Sequence, residues 1–183
     1  MRLLARLGGT DTAIAALTAV TALYMALVVL GNITDPDANT AYVRHVLAMD
    51  TTFDQPPAAW RAITHPAAVT VVFVGIVAWE AAIALVLTAA LAVWFRRPES
   101  ARRLASLGWV LQILLFGGGF LAVGGEWFQM WQSAEWNGTD PAVRNVLIAG
   151  IGLILVHTGR AHRAGSPQAA PDGHDATVGR AGR

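Results

Sequence analysis

Four stretches of the chain are almost purely apolar: residues 12–31, 67–95, 104–128 and 141–157. Polar and charged residues gather between them. The first run is twenty residues without a charge, and twenty helical residues reach about 30 Å, the thickness of a bilayer's hydrocarbon core. Each run therefore predicts a membrane-spanning helix. Arg2 and Arg6 precede the first run and invite comparison with a signal peptide. Its length exceeds the roughly 7–15 residues of such a segment, and no clean small-residue cleavage site follows, so an uncleaved span is expected. Pro66 and Pro141 stand where a helix's first turn accepts proline. Gly117, Gly118 and Gly119 fall inside the third run, where they permit a kink or close helix contact.

The connections are informative as well. Residues 32–66 form a long loop, and long structured loops are often functional. Within it Tyr42, Val43, Val46, Leu47 and Met49 share one helical face while Arg44 and His45 share the other, which predicts an amphipathic interfacial helix capped by Asp37 or Asn39. A second short helix is expected after Pro56 and Pro57, carrying Trp60 and Arg61. The pattern as a whole predicts an all-α membrane protein: a four-transmembrane-helix bundle over residues 1–158, with short extracytoplasmic interfacial helices. Residues 159–183 are Gly, Ala, Pro and polar residues with little to bury, and a disordered cytoplasmic tail is expected there.

Charge placement orients the spans. Arg2, Arg6, Arg96, Arg97, Arg102, Arg103, Arg160 and Arg163 fall on one side if the spans alternate, against Arg44, Arg61 and Arg144 on the other. The positive-inside rule puts both termini in the cytoplasm. Every basic residue is Arg, which reads as GC-rich genome composition and a bacterial inner membrane.

Composition narrows the classes that remain. The chain has 183 residues, 55% hydrophobic and 14% charged, with a net charge of +1; soluble domains carry about 25% charged residues. No basic patch suits nucleic acid. Cysteine is absent, which excludes disulfides, thiolate metal sites and cysteine nucleophiles. No His-x-x-x-His spacing suggests a metal, no pair of histidines at matching depth suggests haem, and no nucleotide or nucleophile-elbow motif appears. No cofactor is expected.

Two groups of candidate residues stand out. Glu80 lies in the middle of the second apolar run, where a carboxylate costs about 2.5–3.5 kcal/mol on insertion scales. It is either a hydrogen-bonded packing group, with Gln112 or a backbone carbonyl as partner, or a proton-relay or ligand-binding group. Gly75, Ala78, Ala81 and Ala82 around it favour a neighbouring helix at close range. The second group faces outward: Arg44, His45, Asp50, Trp60, Arg61, Glu126, Trp127, Trp131, Gln132, Trp136 and Asn137. Its tryptophans suit an aromatic belt. Arg44, His45, Arg61 and Glu126 are expected to converge, either on an anionic group or as a salt-bridged cap.

Several motifs carry a resemblance: Asn32-Ile33-Thr34-Asp35, the run from Tyr42 to Thr52, Trp60-Arg61-Ala62-Ile63, Trp79-Glu80, the run from Val123 to Ser133, and Trp136-Asn137-Gly138. On these the chain resembles an uncharacterised bacterial domain-of-unknown-function family of predicted small integral membrane proteins, over about residues 12–157. Pro36 and Gln129 depart from the pattern. The resemblance implies a four-span inner-membrane protein and supplies no activity. The favoured expectation is a non-enzymatic accessory or assembly subunit presenting its outer cap to a membrane-protein partner or to a second copy. The alternatives are a proton-coupled small transporter or channel using Glu80, and an interfacial enzyme acting on lipid with His45 or Glu126 as general base.

Overall fold

A computed structural model describes residues 8–53 and 57–164, and the described residues are helical with no strand among them. Four helices are long and apolar enough to cross a membrane, and the protein is an all-α, four-span integral membrane protein. Helix α1 covers Thr10–Thr34, α2 Pro36–Ala48, α3 Pro66–Val93, α4 Pro98–Ile113 and α5 Thr139–Ala164. From Leu114 to Trp127 helix α4 continues in a wider, π-wound form. Single 3₁₀ turns lie at Ala59–Arg61 and Met130–Gln132.

Each apolar run lies within or close to one of these helices, but the polar flanks fold differently from expectation. The third span begins at Pro98, not near residue 104, because Arg102 belongs to the helix. Its side chain is 2% exposed and pairs with Asp11 in the first turn of α1, so a charge that reads as loop is instead an internal tie between spans. The last span runs on to Ala164, which makes residues 159–164 helix rather than tail. The expectation for residues 165–183, like the role of Arg2 and Arg6, lies outside the described residues.

Below the middle of the bundle the helices close on a dry core. Ile14, Leu87, Ala90, Ala101, Ala105, Trp109 and Val156 are all 0% exposed. Small residues permit the close approach: a Cβ on Gly152 would stand 2.5 Å from the Trp109 ring, so α5 offers the indole a bare backbone to pack on.

Towards the other end the packing changes because α1 stops early. Asp35 precedes Pro36, and a residue before proline is pushed out of the helical region; Asp35 sits at φ −133°, ψ 75°. One residue therefore turns the chain from α1 into α2, with proline opening the new helix. The turn occurs at the level of the midpoint of α3, where Asn32 meets Glu80. The N-terminal half of α3, from Pro66 to Trp79, extends roughly 21 Å further. Helix α2 lies along it, burying Val43 and Leu47 with Val69 and Phe128. Helix α2 starts six residues before Tyr42, with Asp35 at its N-cap and no side-chain capping bond from Asp37 or Asn39. Its left-handed C-cap, Met49 at φ 53°, is held by a side chain that is itself buried.

The glycine triplet does not tighten the third span against a neighbour. A Cβ on Gly118 would meet nothing within 4 Å, and one on Gly117 would make ordinary contact with Val146 at 3.6 Å. What the triplet accompanies is the π winding, which short stretches of helix adopt at functional positions.

Candidate functional site

Trp79 and Glu80, adjacent on α3, point to different neighbours because successive helical residues are about 100° apart. The Trp79 indole donates to the Leu111 carbonyl of α4 at 3.0 Å and fixes the face α3 shows to its partner. Glu80 is thereby directed towards α1, where its Oε2 accepts a hydrogen bond from Asn32 Nδ2 at 2.6 Å. The carboxylate is 4% exposed.

Glu80 is buried, yet it does not lie in a closed helix interface. It lines a cavity of about 310 Å³ that also touches Tyr24, Asn32, Asn39, Tyr42, Asn137 and Asn145. The cavity fills the corner left where α1 ends: α2 forms its roof, α3 and the π-wound segment contribute Phe73, Ile76, Phe116 and Phe120, and the start of α5 completes it. A second pocket of about 190 Å³, nearly all apolar, lies against four of the same side chains, Tyr42, Val43, Ile76 and Phe120.

Two polar clusters hold this region together. In the first, Gln112 Nε2 donates to Asn145 Oδ1 at 2.9 Å. Asn145 Nδ2 in turn donates to the Pro141 carbonyl at 2.9 Å and to the Tyr24 hydroxyl at 3.3 Å. Gln112 thus faces α5 and does not partner Glu80; the expected pairing is replaced by Asn32–Glu80 and Gln112–Asn145. The Gln112 Oε1 is buried with no hydrogen-bond partner. In the second cluster, the Tyr42 hydroxyl donates to Met130 Sδ at 3.1 Å. Burial pushes Tyr42 up to about 12, against a smaller opposing effect of its hydrogen bond with the Gly138 backbone. Gly138 is a close-approach position, since a Cβ there would collide with the Tyr42 hydroxyl.

The outward-facing candidates divide into local contacts. His45 Nδ1 meets Asp50 at 2.9 Å, and its ring stacks on Trp136 with centroids 4.6 Å apart. The Arg61 guanidinium lies 4.5 Å over Trp127 and 5.5 Å from Trp60, and donates to the Trp127 carbonyl. Gln132 Oε1 accepts from the Phe53 amide at 3.0 Å, while Phe53 meets Trp131 edge-on. Asn137 Oδ1 accepts from the backbone and hydroxyl of Thr139, at the start of α5. Arg44 and Glu126 are exposed. No ion pair joins any two of Arg44, His45, Arg61 and Glu126; in place of the expected salt-bridged cap, Arg61 lies against two tryptophan rings and His45 meets Asp50.

The cavity residues that sequence reasoning did not single out as a site are Asn32, Tyr24, Asn39, Tyr42 and Asn145. Asn32 and Asn145 had a usable signal, because an amide at the edge of an apolar span carries the same demand for a partner as Glu80.

A family model described as "Predicted small integral membrane protein (DUF2165)" matches residues 10–159. No curated protein and no solved structure matches the chain. The four spans and the polar residues set between them lie almost wholly inside the matched region, and the chain belongs to this family of small integral membrane proteins.

Proposed function

We propose that the protein is a small carrier of a bacterial cytoplasmic membrane, with both termini on the cytoplasmic side and Glu80 as the group that exchanges a proton or ligand. The observation that carries this reading is that Glu80 borders a cavity between the spans whose largely apolar walls also carry amides and hydroxyls. A packing carboxyl needs a partner; it does not need a cavity lined by further amides and hydroxyls. Intramembrane carboxylates that face cavities mark substrate and proton pathways. The arginine asymmetry supports the sidedness, which places the roof formed by α2 on the outer face. The cavity within one chain is partly open; transfer across the bilayer calls for a second copy, because four spans leave little to rock against one another.

Labelling with a hydrophobic carbodiimide tests the reading. The reagent adds to a carboxyl only when the group is reachable and protonated, so Glu80 should be modified, and more slowly as pH rises between about 5 and 9. If Glu80 stays unmodified throughout this range while the protein remains folded, it is a packing residue and the proposal fails.

An accessory-subunit role is a second reading, supported by aromatic exposure on the outer face: Trp60 is 74%, Phe53 65%, Trp131 48% and Trp127 47% exposed. Extraction in mild detergent should then recover a stoichiometric membrane-protein partner. Recovery of this chain alone would remove that role.

A further inference from the structure

The Glu80 cavity has a single strong charge. Among the described residues no Arg, Lys or His lines it, and its ionisable groups are Glu80, Tyr24 and Tyr42. An anionic ligand would find no cation on these walls to offset the carboxylate, and a buried charge without a partner is strongly disfavoured.

The hydrogen-bonding capacity left beside Glu80 has the same sense. Asn32 spends one of its two amide N–H groups on Glu80 Oε2. Asn145 donates to Pro141 and Tyr24 and accepts from Gln112. What remains uncommitted at the Asn32–Glu80 pair is two acceptor oxygens, Glu80 Oε1 and Asn32 Oδ1, against one N–H of Asn32. That surplus of acceptors, one of them on a carboxyl group, favours a ligand that arrives with donors.

The walls supply the rest. Phe73, Phe116 and Phe120 line the cavity, and aromatic faces attract cations and suit an apolar body equally well. A volume of about 310 Å³ is far too large for a bare metal ion, which would also require several converging oxygens.

We propose that this cavity binds a small organic ammonium ion, with its N–H groups on Glu80 and Asn32 and its apolar body against the phenyl rings. The proposal rests on the reading of Glu80 as a reachable group, and it names the ligand class for that site. The same ammonium chemistry occurs in a soluble amine and in an ethanolamine lipid headgroup.

The test uses three ligands of one shape and different charge: butylammonium, butanol and butyrate. Each is titrated calorimetrically into the full-length protein in phosphatidylcholine nanodiscs, with empty nanodiscs as the blank. Butylammonium should bind at least about tenfold more tightly than butanol, and butyrate should not bind. Glu80→Gln should reduce the ammonium affinity to that of the alcohol. Equal binding of butylammonium and butanol, preferential binding of butyrate, or an ammonium preference that survives Glu80→Gln would each overturn the proposal. Should the variant not fold, the wild-type series decides by itself. Repeating the titration with phosphatidylethanolamine in the nanodisc identifies the source: competition supports the headgroup, and an unchanged affinity supports a soluble amine. Carbodiimide labelling of Glu80 without any ammonium preference would sink this inference and leave the carrier reading standing, whereas absence of labelling would remove the carrier reading itself.

Discussion

The two halves of the bundle solve different problems with similar residues. In the half around Trp109, which we call inner, α1, α3, α4 and α5 run side by side, and Trp109 is pressed against Gly152 with no exposed surface. In the opposite half, which we call outer, α1 has already stopped, the third span is π-wound, and the space between helices is a cavity roofed by α2. Both halves are rich in glycine and alanine. In the inner half a glycine is a place where another side chain sits; in the outer half the Gly117–Gly119 triplet is associated with an altered backbone winding. The contrast teaches that small residues in a span have no fixed meaning until the neighbouring helix is located.

The sharpest way to break this contrast is to make one substitution in both halves. Gly152→Ala puts a methyl group 2.5 Å from the Trp109 ring, and overpacking of a closed core costs about 1–3 kcal/mol. Gly118→Ala adds the same methyl where nothing lies within 4 Å, and a change within about 0.5 kcal/mol is expected. Unfolding midpoints in one detergent should separate the two variants clearly. Equal midpoints would mean that the inner half is no more tightly packed than the outer.

The boundary between the halves is marked by the Gln112–Asn145 pair, and its two members should respond unequally. Asn145→Ala leaves the buried Gln112 amide with an orphaned Oε1 and only the longer, 3.4 Å bond from Nε2 to the backbone carbonyl of residue 145, and should cost about 1–2 kcal/mol. Gln112→Leu removes the Oε1 that already lacks a partner, and Asn145 keeps its bonds to Pro141 and Tyr24. Its cost should stay below about 1 kcal/mol, in line with measured hydrogen bonds between membrane helices. If Gln112→Leu proves the more damaging of the two, the orphaned oxygen has a partner that the cluster does not reveal.

The outer half should also be the half that responds to alkali. Tyr42 ionises near pH 10 in an unfolded chain, and in the fold burial pushes it up to about 12. The folded state holds the proton more tightly, so this stability is fully present below about pH 10 and is lost as pH rises towards 12. The melting temperature should fall across that interval, and Tyr42→Phe should flatten the fall. A variant with the wild-type alkaline profile would place the sensitive group elsewhere.

The four spans were legible because lipid demands long apolar helices, and Glu80 was legible because a carboxylate inside one is costly. The partner of Glu80 was not. Reading the first apolar run to residue 31 stopped one position short of Asn32, and the level at which Asn32 meets α3 depends on α1 ending at the Asp35–Pro36 turn. The cavity is a consequence of that early stop, and a void leaves no pattern in a hydropathy profile. Gln112 was recognised as a polar residue in a span, but its choice of α5 over α3 depends on rotation within the bundle. Arg102 was read as loop because charge density set the boundary, whereas the ion pair with Asp11 set it in the fold. In the connecting loops, charge alone predicted ion pairs, and two tryptophans interleaved in the sequence took Arg61 instead.

The smallest effect is expected at the contact that looks most like an ion pair. His45 and Asp50 lie 2.9 Å apart, but their side chains are 29% and 47% exposed, and exposed pairs contribute about 0.2–1 kcal/mol. The His45 ring also stacks on Trp136 at 4.6 Å, a contact that does not depend on charge and that couples α2 to the segment before α5. Asp50→Asn retains a hydrogen-bonding side chain beside the ring and leaves the stack untouched, so its midpoint should lie within about 0.5 kcal/mol of wild type. His45→Ala removes stack and pair together and should cost about 0.5–1.5 kcal/mol more. Raising the salt concentration should shrink any effect of Asp50→Asn and, for His45→Ala, only the part due to the pair, so that most of the His45→Ala effect persists, since salt screens exposed charges and does not screen stacked rings. If Asp50→Asn is as damaging as His45→Ala, the roof of the cavity is held by charge after all, and the outer half is more like the Asp11–Arg102 end of the bundle than its aromatic contacts suggest.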